Sequence, residues 1–301
     1  MNFVFTSVVG ARKQLFQALA ALLLLTVPQL AQAFPLTSTQ PWVWPYEVDL
    51  ERAVFNFDAI AALSNCSASY IRFKGAPEDS KALILTNGHC IGGFFGGMPR
   101  PGEVVYNKAK RFSVRLLDRD GRAITTLQAD KILYATMTGT DVALLELNET
   151  YKQIKSKTGI EPLYLADQRP LEGTPIEIPS GYWKRTYSCY IDGFVHELRE
   201  GGYVMYDSVR YSETGCNVIG GTSGSPIVSI ETGEVSAINN TANENGKSCT
   251  MNNPCEVDPS GNVSIIKGRG YGQQTYWLYS CLNEKREFDL AVPGCMMPKP
   301  Q

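Results

Sequence analysis

The chain has 301 residues, 44% of them hydrophobic and 19% charged, with a formal net charge of −2. Those proportions exclude a disordered chain, a collagen-like repeat and a coiled coil. A mildly acidic chain without a basic run lacks the electrostatic footprint of a nucleic-acid binder, so nucleic acid and polyphosphate are poor matches as partners.

At the start of the chain, Arg12 and Lys13 precede an apolar run over 15–27, closed by Pro28 and followed by Ala31-Gln32-Ala33. A basic start, a short apolar stretch and a small-x-small ending form the pattern of an export signal. The run of about 13 residues falls short of the ~20 that a membrane-spanning helix needs. We expect a signal peptide over 1–33 and a mature chain from Phe34, secreted or periplasmic, with no membrane attachment after signal removal. Residues 34–60, rich in proline and tryptophan, read as an extended leader or propeptide-like segment.

Short β-type runs follow, at 69–73, 82–86, 112–116, 123–127, 142–147 and 175–178, then at 203–211, 226–230, 234–238 and 263–266. They are β-branched or aromatic and separated by Gly, Pro, Asn or Asp, which predicts strands between turns. No long run of 3.6 periodicity interrupts them, which argues against a parallel βαβ sheet. The fold class is all-β, with room for a short C-terminal helix over 275–282. A polar, turn-rich break at 166–173 separates two halves, 61–165 and 166–285, and leaves 286–301 as a C-terminal tail. His196 sits in an alternating stretch and is expected on an exposed strand face.

Eight cysteines in an exported chain point to four disulfides. About a hundred pairings are open to eight cysteines. Pairing sequence neighbours gives Cys66–Cys90, Cys189–Cys216, Cys249–Cys255 and Cys281–Cys295. With no CxxC pair and only two histidines, a metal site is not expected, nor is any cofactor.

Three segments carry chemistry. Gly88-His89-Cys90 ends an apolar strand, Asp141-Val142-Ala143-Leu144 opens another, and Gly221-Thr222-Ser223-Gly224-Ser225-Pro226 is a glycine-rich turn holding a serine. A serine hydroxyl is a weak nucleophile and needs a base within hydrogen-bond reach. Histidine has the pKa for that task near neutrality. The imidazole in turn needs a buried carboxylate to fix its tautomer and stabilise its cation. Glycines around the serine let successive N–H groups converge on the oxygen of a tetrahedral intermediate. We assign His89, Asp141 and Ser223 as the catalytic triad, and the N–H groups of Gly221 and Ser223 as the oxyanion hole.

In these motifs and their order, His then Asp then Ser, the sequence resembles the chymotrypsin-like serine peptidases over roughly 65–282. Subtilisins and α/β-hydrolases arrange the same chemistry in other orders. The resemblance implies two perpendicular six-stranded antiparallel barrels, with His89 and Asp141 on the first, Ser223 on the second and the site in the cleft between them. It also supports Cys66–Cys90. It implies a pocket with Asn217 at its base and Asn239, Asn240 and Thr241 along one wall, and the uncharged amide at the base argues against a simple aspartate-based preference for lysine or arginine.

Departures from the family pattern are informative. Asn87-Gly88 stands where alanines are usual. Thr222 replaces the aspartate that pairs with a freshly cut N-terminus in the digestive and clotting branch. The Ser-Gly-Ser-Pro ending is closer in style to the bacterial glutamyl endopeptidase-like branch. The expected activity is hydrolysis of polypeptide substrates by a monomeric serine endopeptidase, with signal removal as the only cleavage the oxyanion hole requires. The alternative is a catalytically inactive protease-like binding module.

Overall fold

A computed structural model of the chain describes residues 56–92, 97–211, 213 and 215–300. The expected signal over 1–33 lies outside these residues, as does most of the expected leader over 34–60. The described part is built on strands, as the alternation and turn signals imply.

The first sheet contains β1 (Ile60–Ala62), β2 (Ser67–Arg72), β3 (Lys81–Thr86), β4 (Val104–Leu117), β5 (Ala123–Thr136), β6 (Val142–Thr150) and β7 (Leu163–Tyr164). Its strand order is β1-β4-β5-β6-β3-β2-β7, and β1 also pairs with β2, so six of its strands are joined in a ring. β3 reads as an unbroken apolar run because both of its faces are covered. Ala82 and Ile84 enter one core cluster while Leu83 and Leu85 enter another, the two-residue period of a strand.

The second sheet contains β8 (Pro175–Ser180), β9 (Arg185–Tyr190), β10 (Gly193–Glu200), β11 (Tyr203–Tyr211), β12 (Pro226–Ser229), β13 (Val235–Ala242), β14 (Cys255–Val257), β15 (Val263–Ser264) and β16 (Gly270–Gln274). Its order is β15-β14-β10-β11-β16-β13-β12-β8-β9. Only Ile191 and Asp192 separate β9 from β10. That bend is held by Asp192, whose Oδ1 lies 2.9 Å from Arg210 Nε and 3.2 Å from Arg269 Nη1.

Seven and nine strands therefore stand where six per half are expected. The short β7 joins parallel to β2, and β14 with β15 extends the second sheet beyond β10. β13 also runs four residues past the expected end at 238. Asn239, Thr241 and Ala242 pair with β16 across a bulge at Asn240, and the serine loop bonds the backbone of Asn239 and Asn240, despite the low strand preference of asparagine.

One helix was not expected: α1 (Tyr151–Thr158) follows β6 directly. Thr150 and Gln153 form a reciprocal capping box at its start, and Gly159 closes it in the left-handed conformation. At the C-terminal end, the expected short helix is a 3₁₀ segment over Tyr276–Cys281. Among the described residues no helix is long and apolar enough to cross a membrane.

The core has distinct parts. One cluster fills the ring of the first sheet, with Tyr70, Leu116, Leu127 and Leu145 among its members. Another joins the two sheets, setting Leu85, Tyr134 and Leu144 against Val228, Val235 and Ile238. Phe288, Leu290 and Met297 from the C-terminal segment pack into that same cluster, so residues 286–301 contribute to the core. His196 is exposed on β10.

All four neighbouring cysteine pairs are bonded: Cys66–Cys90, Cys189–Cys216, Cys249–Cys255 and Cys281–Cys295. Four disulfides fit an oxidising compartment.

Candidate active site

His89 lies on the 3₁₀ turn Gly88–Gly92, just beyond β3. Two neighbours shape that turn. Asn87 is fully buried and its Nδ2 donates to the backbone oxygen of Asp141 at 2.9 Å. A Cβ on Gly88 would collide with the carbonyl of Thr136, so the close approach of two backbones requires glycine there. The Asn87-Gly88 departure from the family pattern thus serves to tie the histidine turn to the strand carrying the aspartate.

Asp141 is almost fully buried, with 1% exposure, and both of its oxygens hold His89. His89 Nδ1 stands 2.6 Å from Oδ2, and the His89 backbone N–H donates to Oδ1 at 3.1 Å. An ionised carboxylate only accepts hydrogen bonds, so Nδ1 carries the hydrogen and Nε2 is left as a base. Burial works to lower the His89 pKa, but the charge and hydrogen bond of Asp141, helped by the charge of Glu200, leave it raised above the ordinary 6.5.

The loop before Asp141 is stitched to the second sheet. The Gly139 N–H donates to Val204 O and the Tyr206 N–H to Gly139 O, both at 2.9 Å. Thr140 Oγ1 donates to Gln273 Oε1 at 3.3 Å. These bonds fix the histidine–aspartate pair relative to the strands that carry the serine.

Ser223 occupies the turn before β12. The Ser67 N–H at the start of β2 donates to Ser223 O at 2.8 Å, and the Gly224 N–H donates to Asn239 O at 3.0 Å. Gly224 has φ +82°, and a Cβ there would strike Ser67 O and Thr86 Oγ1, so no other residue fits. The Ser223 hydroxyl donates to Asn240 O at 3.1 Å. Among the described residues no hydrogen bond joins it to His89.

The carbonyls on either side of the proposed oxyanion hole are turned away from it. Trp183 Nε1 donates to Gly220 O at 2.8 Å, and Ser67 Oγ donates to Gly221 O at 3.2 Å. The N–H groups of Gly221 and Ser223 have no hydrogen-bond partner among the described residues. Gly221 has φ +90°, and a Cβ there would lie 2.9 Å from Tyr182 Cδ1 and 3.0 Å from Trp183 Nε1.

His89, Asp141 and Ser223 line one cavity of about 630 Å³, together with Asn217, Asn239, Asn240 and Thr241. Three of these polar side chains are already engaged, Thr241 by donating to Glu200 Oε1 at 3.1 Å. Tyr211 OH donates to Asn239 Oδ1, and Asn240 Nδ2 contacts Met205 Sδ at 3.1 Å. Cys66, His89 and Cys90 bring metal-type donor atoms together, but the two sulfurs are bonded to each other, which leaves a lone imidazole.

Three contributors escaped the sequence reading. Ser67 and Trp183 act through backbone carbonyls distant in sequence, and no motif marks them. Glu200 lines the cavity and is 7% exposed. It ends an ordinary alternating strand, and its place near His89 follows only from tertiary packing.

The model of the trypsin-like peptidase domain matches residues 67–238. No curated protein matches the chain. Among solved structures, the chain is similar to an inactive form of Rv3671c from M. tuberculosis, with 13% identity, TM-score 0.44, and coverage of 78% of this chain and 91% of that one. It is also similar to the MamO protease domain from Magnetospirillum magneticum, with 14% identity, TM-score 0.47, and coverage of 76% and 98%. The Nocardiopsis protease shows 12% identity and TM-score 0.41, with coverage of 73% and 92%.

Proposed function

Because the matched domain spans more than half of it, the chain belongs to the trypsin-like peptidase domain family, and we propose that it is a secreted serine endopeptidase. The observation that carries this reading is His89 held at two points by the Asp141 carboxylate, in a cavity that Ser223 also lines.

In the proposed mechanism, Ser223 Oγ attacks the carbonyl carbon of a peptide bond while His89 Nε2 takes its proton. The Gly221 and Ser223 N–H groups receive the negative oxygen of the tetrahedral intermediate. His89 then returns the proton to the leaving amine, and an acyl-enzyme remains. Water repeats the sequence: His89 accepts its proton, the hydroxide attacks the ester carbon, and the proton passes back to Ser223. Asp141 orients the ring and stabilises its cation throughout.

The finer features of the reading rest on specific support. Two barrels flanking the cleft are supported by the ring of pairings in the first sheet and by the continuity of β9 into β10 in the second. Export is supported by the expected signal over 1–33 and by four disulfides. The Ser223-Gly224-Ser225-Pro226 string supports the bacterial glutamyl endopeptidase-like branch. Asn217, Asn239, Asn240 and Thr241 are the proposed primary pocket, and polypeptides the substrates of a monomeric enzyme.

A second reading, an inactive protease-like module, is favoured by one observation: the Ser223 hydroxyl is bonded to Asn240 O rather than to His89. Cleavage of a denatured polypeptide by the purified chain separates the two. The endopeptidase reading expects turnover that Ser223→Ala removes. Turnover surviving in that variant, or its absence from the folded native chain, contradicts it.

A further inference from the structure

Glu200 is a buried carboxylate with no cationic partner among the described residues, placed in the wall of the candidate site. It ends β10 and is 7% exposed. One oxygen, Oε1, accepts from Thr241 Oγ1 at 3.1 Å and from the Asn252 N–H at 2.7 Å. The other oxygen has no hydrogen-bond partner among the described residues. Among the described residues no lysine or arginine forms an ion pair with it.

The surroundings are built and rigid. Cys249–Cys255 closes a loop of sequence separation 6, and that loop supplies both Asn252 and Met251. The Gly201 N–H, at the turn after Glu200, donates to Cys249 O at 2.9 Å. A Cβ on Gly201 would lie 2.8 Å from Met251 Cε, so the hairpin turn and the disulfide loop are packed face to face. Glu200 is thus held at one oxygen by fixed donors before any ligand arrives.

An uncompensated carboxylate in such a place is costly, and a cation that reaches it recovers much of that cost. Burial raises the Glu200 pKa, as desolvation of a carboxylate should. The exposed Met98 and Met251 and the buried Met137 line the same cavity. Thioethers suit a flexible aliphatic chain, and the carboxylate suits a charged head at its end. Lysine and arginine side chains have that combination.

We propose that Glu200, with Thr241 and the Cys249–Cys255 loop, forms a subsite that binds a lysine or arginine side chain of the polypeptide substrate. This rests on the endopeptidase reading for the identity of the ligand as a peptide. Asn217 carries no charge, and Glu244 and Lys267 line the same cavity as exposed charges of opposite sign, so the cation selectivity is assigned to the buried Glu200.

The test measures binding on the Ser223→Ala protein, which needs no turnover. Hexapeptide libraries are used in which one position at a time is fixed as Lys, Arg or norleucine. The expected result is one position where Lys and Arg bind about tenfold or more tightly than norleucine, as hydrogen bonds to charged groups allow. Adding Glu200→Gln, whose amide oxygen can still accept from Thr241 and Asn252, should abolish that difference. Adding Glu200→Lys should replace it with a preference for glutamate. A library with no cation-selective position, or a preference that Glu200→Gln leaves intact, overturns the proposal. Hydrolysis by the native chain is assayed in parallel. Its absence counts against the endopeptidase reading, while the binding result still decides the subsite.

Discussion

Trp183 Nε1 donates a 2.8 Å hydrogen bond to the carbonyl oxygen of Gly220. A peptide plane has its C=O and N–H on opposite sides, so holding the Gly220 oxygen outward turns the Gly221 N–H inward. The adjacent carbonyl of Gly221 accepts from Ser67 Oγ, which is itself 3.0 Å from Ser180 Oγ and accepts from the Tyr182 N–H at 3.1 Å. The β8–β9 turn and the start of β2 thereby set the geometry of the serine loop.

Trp183→Phe keeps an aromatic ring edge-on to Tyr182 but removes the indole donor. The expected result is a kcat lowered about tenfold with KM little changed, because the lost interaction supports a group used in the transition state. Steady-state kinetics on one peptide substrate check this. An unchanged kcat with a raised KM would assign Trp183 to substrate binding instead.

Asp141→Asn should lower kcat/KM by about 10⁴-fold, the scale known for such triads, with the fold retained. The amide can donate to Nδ1 and stabilise the tautomer that leaves Nε2 protonated. Kinetics checked against thermal unfolding test the claim, and a variant that keeps near-native activity would remove Asp141 from the triad.

The pH profile follows from the raised His89 pKa. The base must be neutral, so the acid limb of kcat/KM should lie above the ordinary histidine value of about 6.5. Glu200 contributes part of the rise, so Glu200→Gln should move the limb to lower pH. A raised histidine pKa also stabilises the fold. That contribution is present below the unfolded-state pKa and is lost as pH rises through the folded-state value. Profiles of both proteins on one neutral substrate check the direction, and a limb that Glu200→Gln moves upward contradicts it.

Thr222 is fully buried and its Oγ1 has no hydrogen-bond partner among the described residues. A new N-terminal ammonium would find no carboxylate at this position, and burying it unpaired would be costly. Protein starting at Phe34 should therefore titrate with an active-site reagent as fully as protein trimmed to Asn56. A requirement for one specific new N-terminus, lost when that amine is blocked, would contradict this.

The proposed triad could be read from the sequence because each of its members sits in a short local motif next to a strand. The disulfides were legible because neighbours in sequence are bonded. α1 left a trace in Thr150, Gln153 and Gly159, but only Tyr151 and Ile154 of its eight residues are buried, too few to give a clear period. β4 was underestimated because Lys108, Lys110 and Arg111 are exposed and charged where the strand continues past the core. Glu200, Ser67 and Trp183 were invisible for a common reason. Each acts on residues at least 20 positions away, through contacts that only the folded chain creates.

The central claim is that Ser223 is an activated nucleophile, and covalent labelling with a fluorophosphonate tests it most directly. The account predicts one phosphonylated residue, mapped by mass spectrometry to the peptide containing Ser223, absent in Ser223→Ala and slowed in Asp141→Asn. Folded protein that stays unlabelled, while a control serine peptidase in the same reaction is labelled, would contradict it.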